Sequence, residues 1–375
     1  MARKETPKLI TNLELNRALL ARQHLLERTS TIRGAMDTHF ALQSQEHEPH
    51  YISLWSRVDG LKRSAVDSMM ENKQLVRATS LRGTIHTSLV DDYMLIRPLV
   101  AEVFWEKLRK HIFAKSVGEL VAQATEILGS GRYSRAQLRD TLGSELGKNM
   151  GLVLSDFLGR AALPLLRVPL VEDGKFVGQK DGYMVADEWL GRSVASPLSL
   201  TPEKKASSME LLLRRYLAAF GPATAGDFSS WSSLPGSGKI LKEMEGLTTF
   251  RSQEGRLLYD LKDAPRPGGT TDAPPRIFGQ FDNLNLAYSN RERITSREFV
   301  KTYFLAMPPR NFGLFTTSGF LDGKWRLDLR AKQPKVTLER DVAFSKKQWK
   351  AVVAEFEKFG SELYGVDLEV LLKQD

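Results

Sequence analysis

Helix-capping residues recur along this chain just ahead of stretches in which apolar side chains return every three or four positions. Thr11 with Glu14, Ser116 with Glu119, Ser134 with Gln137 and Ser345 with Gln348 have the spacing of the capping box. In that motif a hydroxyl accepts from the N–H three residues on, and the Glu or Gln reaches back to the cap. Thr201, followed by Pro202 and Glu203, marks another start, with proline where its missing N–H costs nothing. Helices are therefore predicted to open near residues 12, 117, 135, 202 and 346. The last, Lys346 to Phe359, gathers Trp349, Val352, Val353 and Phe356 on one face. Between the helical stretches lie alternating runs broken by glycine, "LVRATSLRGTIHTSLV", "LLRVPLVEDGKFVGQKDGYMVA" and "LTTFRSQEGRLLYDL". Each reads as a two-stranded hairpin.

The order helix, helix, helix, hairpin thus occurs three times, over residues 12–90, 116–187 and 202–262. That is the order of a winged helix, and equally of a plain α+β domain. The segment "KDAPRPGGTTDAPP" is a proline- and glycine-rich connection. After it, "GLFTTSGF", "KWRLDLR" and "KVTLERDV" alternate as strands, and with the final helix they suggest a small barrel or curled sheet. The fold expected is α+β and mainly helical: three tandem winged-helix motifs over 1–115, 116–198 and 199–265, then a C-terminal β-barrel-like domain over 266–375.

Composition narrows the function. A chain of 375 residues with a formal net charge of +9, its Lys and Arg dispersed, favours a polyanionic partner such as nucleic acid, with an acidic membrane surface as the alternative. No apolar run approaches a membrane span, and the start "MARKETPKLITN" lacks a signal-peptide core, so a cytoplasmic protein is expected. The absence of cysteine removes disulfides, thiol nucleophiles and the usual zinc-finger spacings. All six histidines precede residue 112, and neither a metal nor a cofactor is predicted.

The stretch "HFALQSQEHEPHYISLWSRV" places Gln43 and Gln45 one residue apart. Amides titrate at no useful pH and are poor nucleophiles, so a catalytic role for them would be to hold or polarise something. Glu46 and Glu48 beside them fit either a general base or a solvated loop face. On the first hairpin, alternation puts Thr84 and His86 on one face near Arg77 and Arg82. That strip suits DNA phosphates and suits an ordinary exposed hairpin equally. Leu54 and Trp55 read as core, and Arg57 as exposed or facing DNA.

The run "ALQSQ", Pro49, Tyr51, "LWSRV" and "LVRATSLRGTIHTSLVDDY" resembles the winged-helix DNA glycosylases of the AlkZ and YcaQ type. So do "GPATAGDFSSWSSLP" at 221–235 and "FGQFDNLNLAYSNRERI" at 278–294. The resemblance implies a C-shaped clamp around duplex DNA, hydrolysis of the N-glycosidic bond of alkylated purines, and a Gln-x-Gln catalytic signature carried here by Gln43 and Gln45. Ser44 departs from the family's aliphatic middle residue. Asp282 and Asn283 match a family motif and, with Glu46, would line the active site. A monofunctional, monomeric, nucleoid-associated repair or self-resistance enzyme is expected, since no lysine adjoins the motif. The competing readings are a winged-helix transcriptional regulator and a catalytically inert DNA-binding shield. The absence of a heptad segment and the repeats in one polypeptide disfavour a dimeric regulator.

Overall fold

The helix starts written in the sequence are all used, beside others that it did not mark. In a computed structural model describing residues 6–46, 48–112, 116–172, 175–279, 281–301, 312–340 and 343–373, helices open at Asn12, Val117, Arg135, Pro202 and Lys346. Complete capping boxes form at Thr11, Ser134 and Ser345. The described chain is α+β and about half helical. Its residues fall into two compact units, one of residues 1–68, 213–231 and 237–375 and the other of 69–212 and 232–236.

In the first unit the strand Lys8–Ile10 lies parallel to Leu247–Ser252, which pairs antiparallel with Leu257–Leu261. The third predicted hairpin therefore exists, extended by an N-terminal strand. The connection 262–275 forms no helix or strand, yet it is pinned to the helix Asn12–Arg22. Arg17 Nε donates to the Thr271 carbonyl at 2.6 Å and Arg22 Nε to that of Pro265 at 3.1 Å.

A second sheet in this unit orders Glu369–Leu372, Lys335–Glu339, Phe320–Asp328, Gly313–Thr317 and Arg276–Phe278. Among the described residues its first and last strands do not pair with each other, so of the expected small barrel or curled sheet it is an open sheet and no closed barrel. Closure would need the edges to meet, and here one edge pairs parallel through Lys335–Glu339 while the other abuts the helix Glu48–Trp55. The helix Lys346–Phe359 buries Val352, Glu355, Phe356 and Phe359, a face rotated from the predicted one because Trp349 and Val353 sit half-buried on its flanks. Phe359 packs edge-on against Trp325 and Trp55, at 5.5 and 5.1 Å between centroids.

In the second unit the hairpin Leu75–Thr79 with Ile85–Leu89 joins the hairpin Leu165–Glu172 with Lys175–Val185. The link is the pairing of Arg77 with Arg167 and of Ala78 with Leu166, so two predicted hairpins form one antiparallel sheet. The tip of the second, 173–174, lies outside the described residues. Val76, Ala78, Val90, Tyr93, Leu166, Val168, Met184 and Ala186 make the core beneath it.

Candidate active site

The helix Ile32–His39 stops abruptly ahead of the two glutamines. Phe40 has φ 65° and ψ −51°, and the Ala41 N–H donates to the His39 carbonyl at 2.7 Å. This is the rarer, strained form of the γ-turn, with an expected cost of about 1–3 kcal/mol for a non-glycine residue. Packing holds it in place, because the Phe40 ring lies 6.2 Å from Trp231 and the Arg215 guanidinium sits 4.9 Å above it.

After the turn comes the two-residue strand Leu42–Gln43, then Ser44, Gln45 and Glu46, and the helix Glu48–Trp55 begins. Gln43 is 9% exposed, Ser44 is fully buried, and Gln45 and Glu46 are exposed. The middle position of the motif is thus an interior one, which accounts physically for an aliphatic preference there. In this chain a serine fills it.

The two carboxylates beside the motif differ. Glu46 is exposed, while Glu48 accepts both terminal nitrogens of Arg63 at 2.7 Å and the Tyr364 hydroxyl at 3.1 Å. Arg63 also stacks 4.0 Å over Tyr51, whose hydroxyl donates to Asp67. The hydrogen bond to Glu48 is the main reason the Arg63 guanidinium is held above its ordinary pKa. A carboxylate occupied in this way is fixed as a counter-ion. Sequence reading missed Arg63 and Tyr364 because neither lies within a helical turn of Glu48.

Leu54 and Trp55 are core, as read from the sequence. Arg57 is not exposed. Its guanidinium is fully buried and binds Asp282 through two nitrogens at 2.8 and 3.0 Å, with a third bond to the Ser53 carbonyl at 2.9 Å. With no accessible surface and both terminal nitrogens occupied, it offers nothing to a phosphate. Asp282 likewise faces inward, accepting from Ser53 Oγ at 2.5 Å and capping the turn Asn283–Leu286 through the Leu284 N–H. Asn283 is buried, and its Nδ2 donates to the Ala41 carbonyl at 2.7 Å. Gly279, in the same motif, sits where a Cβ would come within 3.1 Å of Pro49. The "FGQFDN" segment therefore braces the Gln-x-Gln loop from behind; Gln280 lies outside the described residues.

The motif at 221–235 serves the same loop. Trp231, under Phe40, belongs to an aromatic cluster with Tyr216, Phe220 and Phe228. Asp227 ties "GDFSSW" to "AYSN" by accepting from the Ser289 N–H at 2.9 Å and Oγ at 2.7 Å. His39, which the sequence did not single out, is buried, and among the described residues neither ring nitrogen has a hydrogen-bond partner. Burial, then Arg57 and His24, push its pKa well below the ordinary value, so it is neutral.

The hairpin candidates lie in the second unit and are mostly interior. Arg77 is buried in an ion pair with Asp181, which Arg167 also approaches at 3.5 Å. Every residue of Ile85–Leu89 is buried, so alternation gives His86 no exposed face. Burial, followed by the Arg82 charge, lowers its pKa to about 3, and its Nδ1 bonds the Thr84 carbonyl at 2.9 Å. Arg82 and Thr84 are half-buried, and burial lowers Arg82 to about 10. Among the described residues no three His, Cys, Asp or Glu side chains gather as a metal site, and no helix is long and apolar enough to cross a membrane.

The family described as DNA glycosylase AlkZ-like matches residues 38–361, which include the Gln-x-Gln loop and both of its braces. The structure of Streptomyces sahachiroi DNA glycosylase AlkZ shares the fold, with a TM-score of 0.76 at 19% identity over 97% of this chain and 100% of that one. No curated protein matches the chain by sequence.

Proposed function

Because this chain belongs to the AlkZ-like DNA glycosylase family, we propose that it hydrolyses the N-glycosidic bond of cationic alkylpurines of the 7-alkylguanine type in duplex DNA, with Gln43 and Gln45 as the catalytic pair. The observation that carries this reading is that the carboxylates packed behind the loop are tied up while amides hold the two motif positions. Glu48 is paired with Arg63 and Asp282 with Arg57, the motif offers the nearly buried Gln43 and the exposed Gln45, and the exposed Glu46 beside them is read as lining the site.

Amides suffice when the leaving group is already good. A purine alkylated at ring nitrogen 7 carries positive charge, and on departure it takes the glycosidic electron pair and leaves neutral without a general acid. What remains is to steady the developing oxocarbenium sugar and place a water at its anomeric carbon. Carbonyl dipoles can do both by pointing oxygen at positive charge and at the water's hydrogens. The water's oxygen bonds the anomeric carbon, its proton goes to solvent, and an abasic site results. No lysine adjoins the motif, so the reaction is read as monofunctional.

On the same reading the net charge of +9 serves the phosphate backbone, with Arg82 and Thr84 as the hairpin's remaining contacts. The winged-helix modules and C-shaped clamp, the monomeric state, the cytoplasmic, nucleoid-associated setting and a role in repair or self-resistance against bulky adducts belong to this proposal too. The test is release of free base from a duplex containing 7-methylguanine: release supports it, and tight binding without release would favour a DNA-binding regulator or shield.

A further inference from the structure

The hydrogen bond from Asn283 to the backbone just ahead of Gln43 has no role in the chemistry described above, yet it falls at the most strained point of the loop. We propose that Asn283 is a positioning residue that sets the place of Gln43 by clamping the Ala41 carbonyl; this rests on the reading of Gln43 as catalytic.

The constraint is cyclic. From the motif the chain enters the helix Glu48–Trp55, whose Ser53, with Arg57 just beyond, holds Asp282. Asp282 is the cap that orients the next residue, Asn283. Asn283 then returns to Ala41 at 2.7 Å, two residues before Gln43. The bond lands on the peptide next to the γ-turn, whose own closure runs from Ala41 N–H to the His39 carbonyl. Because Gln43 is the second residue of the extended pair Leu42–Gln43, turning the Ala41 peptide would carry its side chain away from its present, nearly buried place. The clamp thus fixes the direction in which Gln43 points.

Only one end of the Asn283 side chain is engaged. Its Oδ1 is buried with no hydrogen-bond partner among the described residues. An asparagine kept in place with an unmatched oxygen is serving as a donor, since an apolar side chain of like volume would avoid that cost. Asn283→Leu therefore removes the donor, and with it the unmatched acceptor, while keeping the branching and the number of side-chain heavy atoms.

The experiment compares wild type, Asn283→Leu, Gln43→Ala and the double variant on 7-methylguanine duplex under single-turnover conditions. It is paired with DNA affinity and with amide hydrogen exchange of the free proteins. Asn283→Leu should slow base release on the order of tenfold to a hundredfold, with affinity within about twofold of wild type. It should cause little further loss in the Gln43→Ala background and should speed exchange at residues 41–45. An unchanged rate, or the same fold-loss with and without Gln43, overturns the proposal. If wild type releases no base, the catalytic reading fails. The clamp is then judged by exchange alone, where unaltered protection at 41–45 would overturn it. Should Asn283→Leu not fold, Asn283→Ser takes its place in the same comparison, and the same results support or overturn the clamp.

Discussion

The loop from His39 to Glu46 and the hairpin from Leu75 to Leu89 both set polar side chains among apolar ones, and the two regions use them oppositely. In the hairpin the charges are internal and paired: Arg77 meets Asp181, and His86 is neutral and bonded to the Thr84 carbonyl. Around the loop the ion pairs lie in a bracing layer, Arg57 with Asp282 and Glu48 with Arg63, while uncharged amides occupy the motif itself and Glu46 beside them is exposed. Next to that layer lie buried polar atoms that have no partner among the described residues, on His39, Asn283 and Asn285. Strain and unmatched atoms do not separate the regions, since Arg82 in the hairpin has φ 56° and Arg167 Nε in its sheet is buried without a partner among the described residues; what differs is where charge is placed.

The largest effects should come from removing charged groups that have no exposure. Arg57→Met would strand Asp282 in the interior, and loss of one partner of a buried pair is expected to cost about 3–5 kcal/mol. The urea midpoint should fall accordingly, with loss of activity tracking loss of fold. Arg77→Ala should do the same in the second unit, so a stable Arg77→Ala protein with merely weakened DNA binding would break the comparison.

Gln45→Leu should show the opposite signature. Gln45 is exposed, so stability and DNA affinity should change little, while base release falls roughly a hundredfold or more, about 2.7 kcal/mol in the barrier. Gln45→Asp, which supplies a carboxylate at the same point, should keep substantial activity. Rate assays beside thermal melts check both.

The hairpin, unlike the amide motif, titrates. His86 drops from about 6.5 unfolded to about 3 folded, so the unfolded chain binds its proton first. The resulting stability is complete above about pH 6.5 and is lost as pH falls from there toward 3. His39, lowered by burial, adds the same sign. Melting points between pH 4 and 7 should rise with pH, and His86→Leu should flatten part of that rise. The smallest effect belongs to Arg82→Ala, which should lower the salt slope of DNA binding by about one, equally for different sequences.

Much of this was legible in the chain. Helix starts followed from capping residues because caps act over three positions, and the hairpins from alternation broken by glycine. What could not be read was which face of each strand met solvent. Arg77, His86 and Arg57 were assigned to a surface from local pattern, and their burial depends on partners far away in sequence, Asp181 for Arg77 and Asp282 for Arg57. The choice between a small barrel and a curled sheet stayed open for the same reason, since it is decided by two edges that alternation never compares. The Gln-x-Gln pair was visible only through its flanking motifs. Their positions could be matched, but that "FGQFDN" and "GDFSSW" both brace the Phe40 turn needed coordinates.

The central claim is that the amides act on a leaving group made good by its own charge, and substrate charge tests it most directly. Base release should be measured on matched duplexes carrying 7-methylguanine and hypoxanthine between about pH 6 and 9, a range in which neither glutamine titrates. The account predicts release of 7-methylguanine at a rate nearly independent of pH, and poor release of uncharged hypoxanthine. Good activity on hypoxanthine together with a sharp ionisation near pH 6 would contradict it, because a titrating acid or base would then drive the reaction and the glutamines would be scaffold.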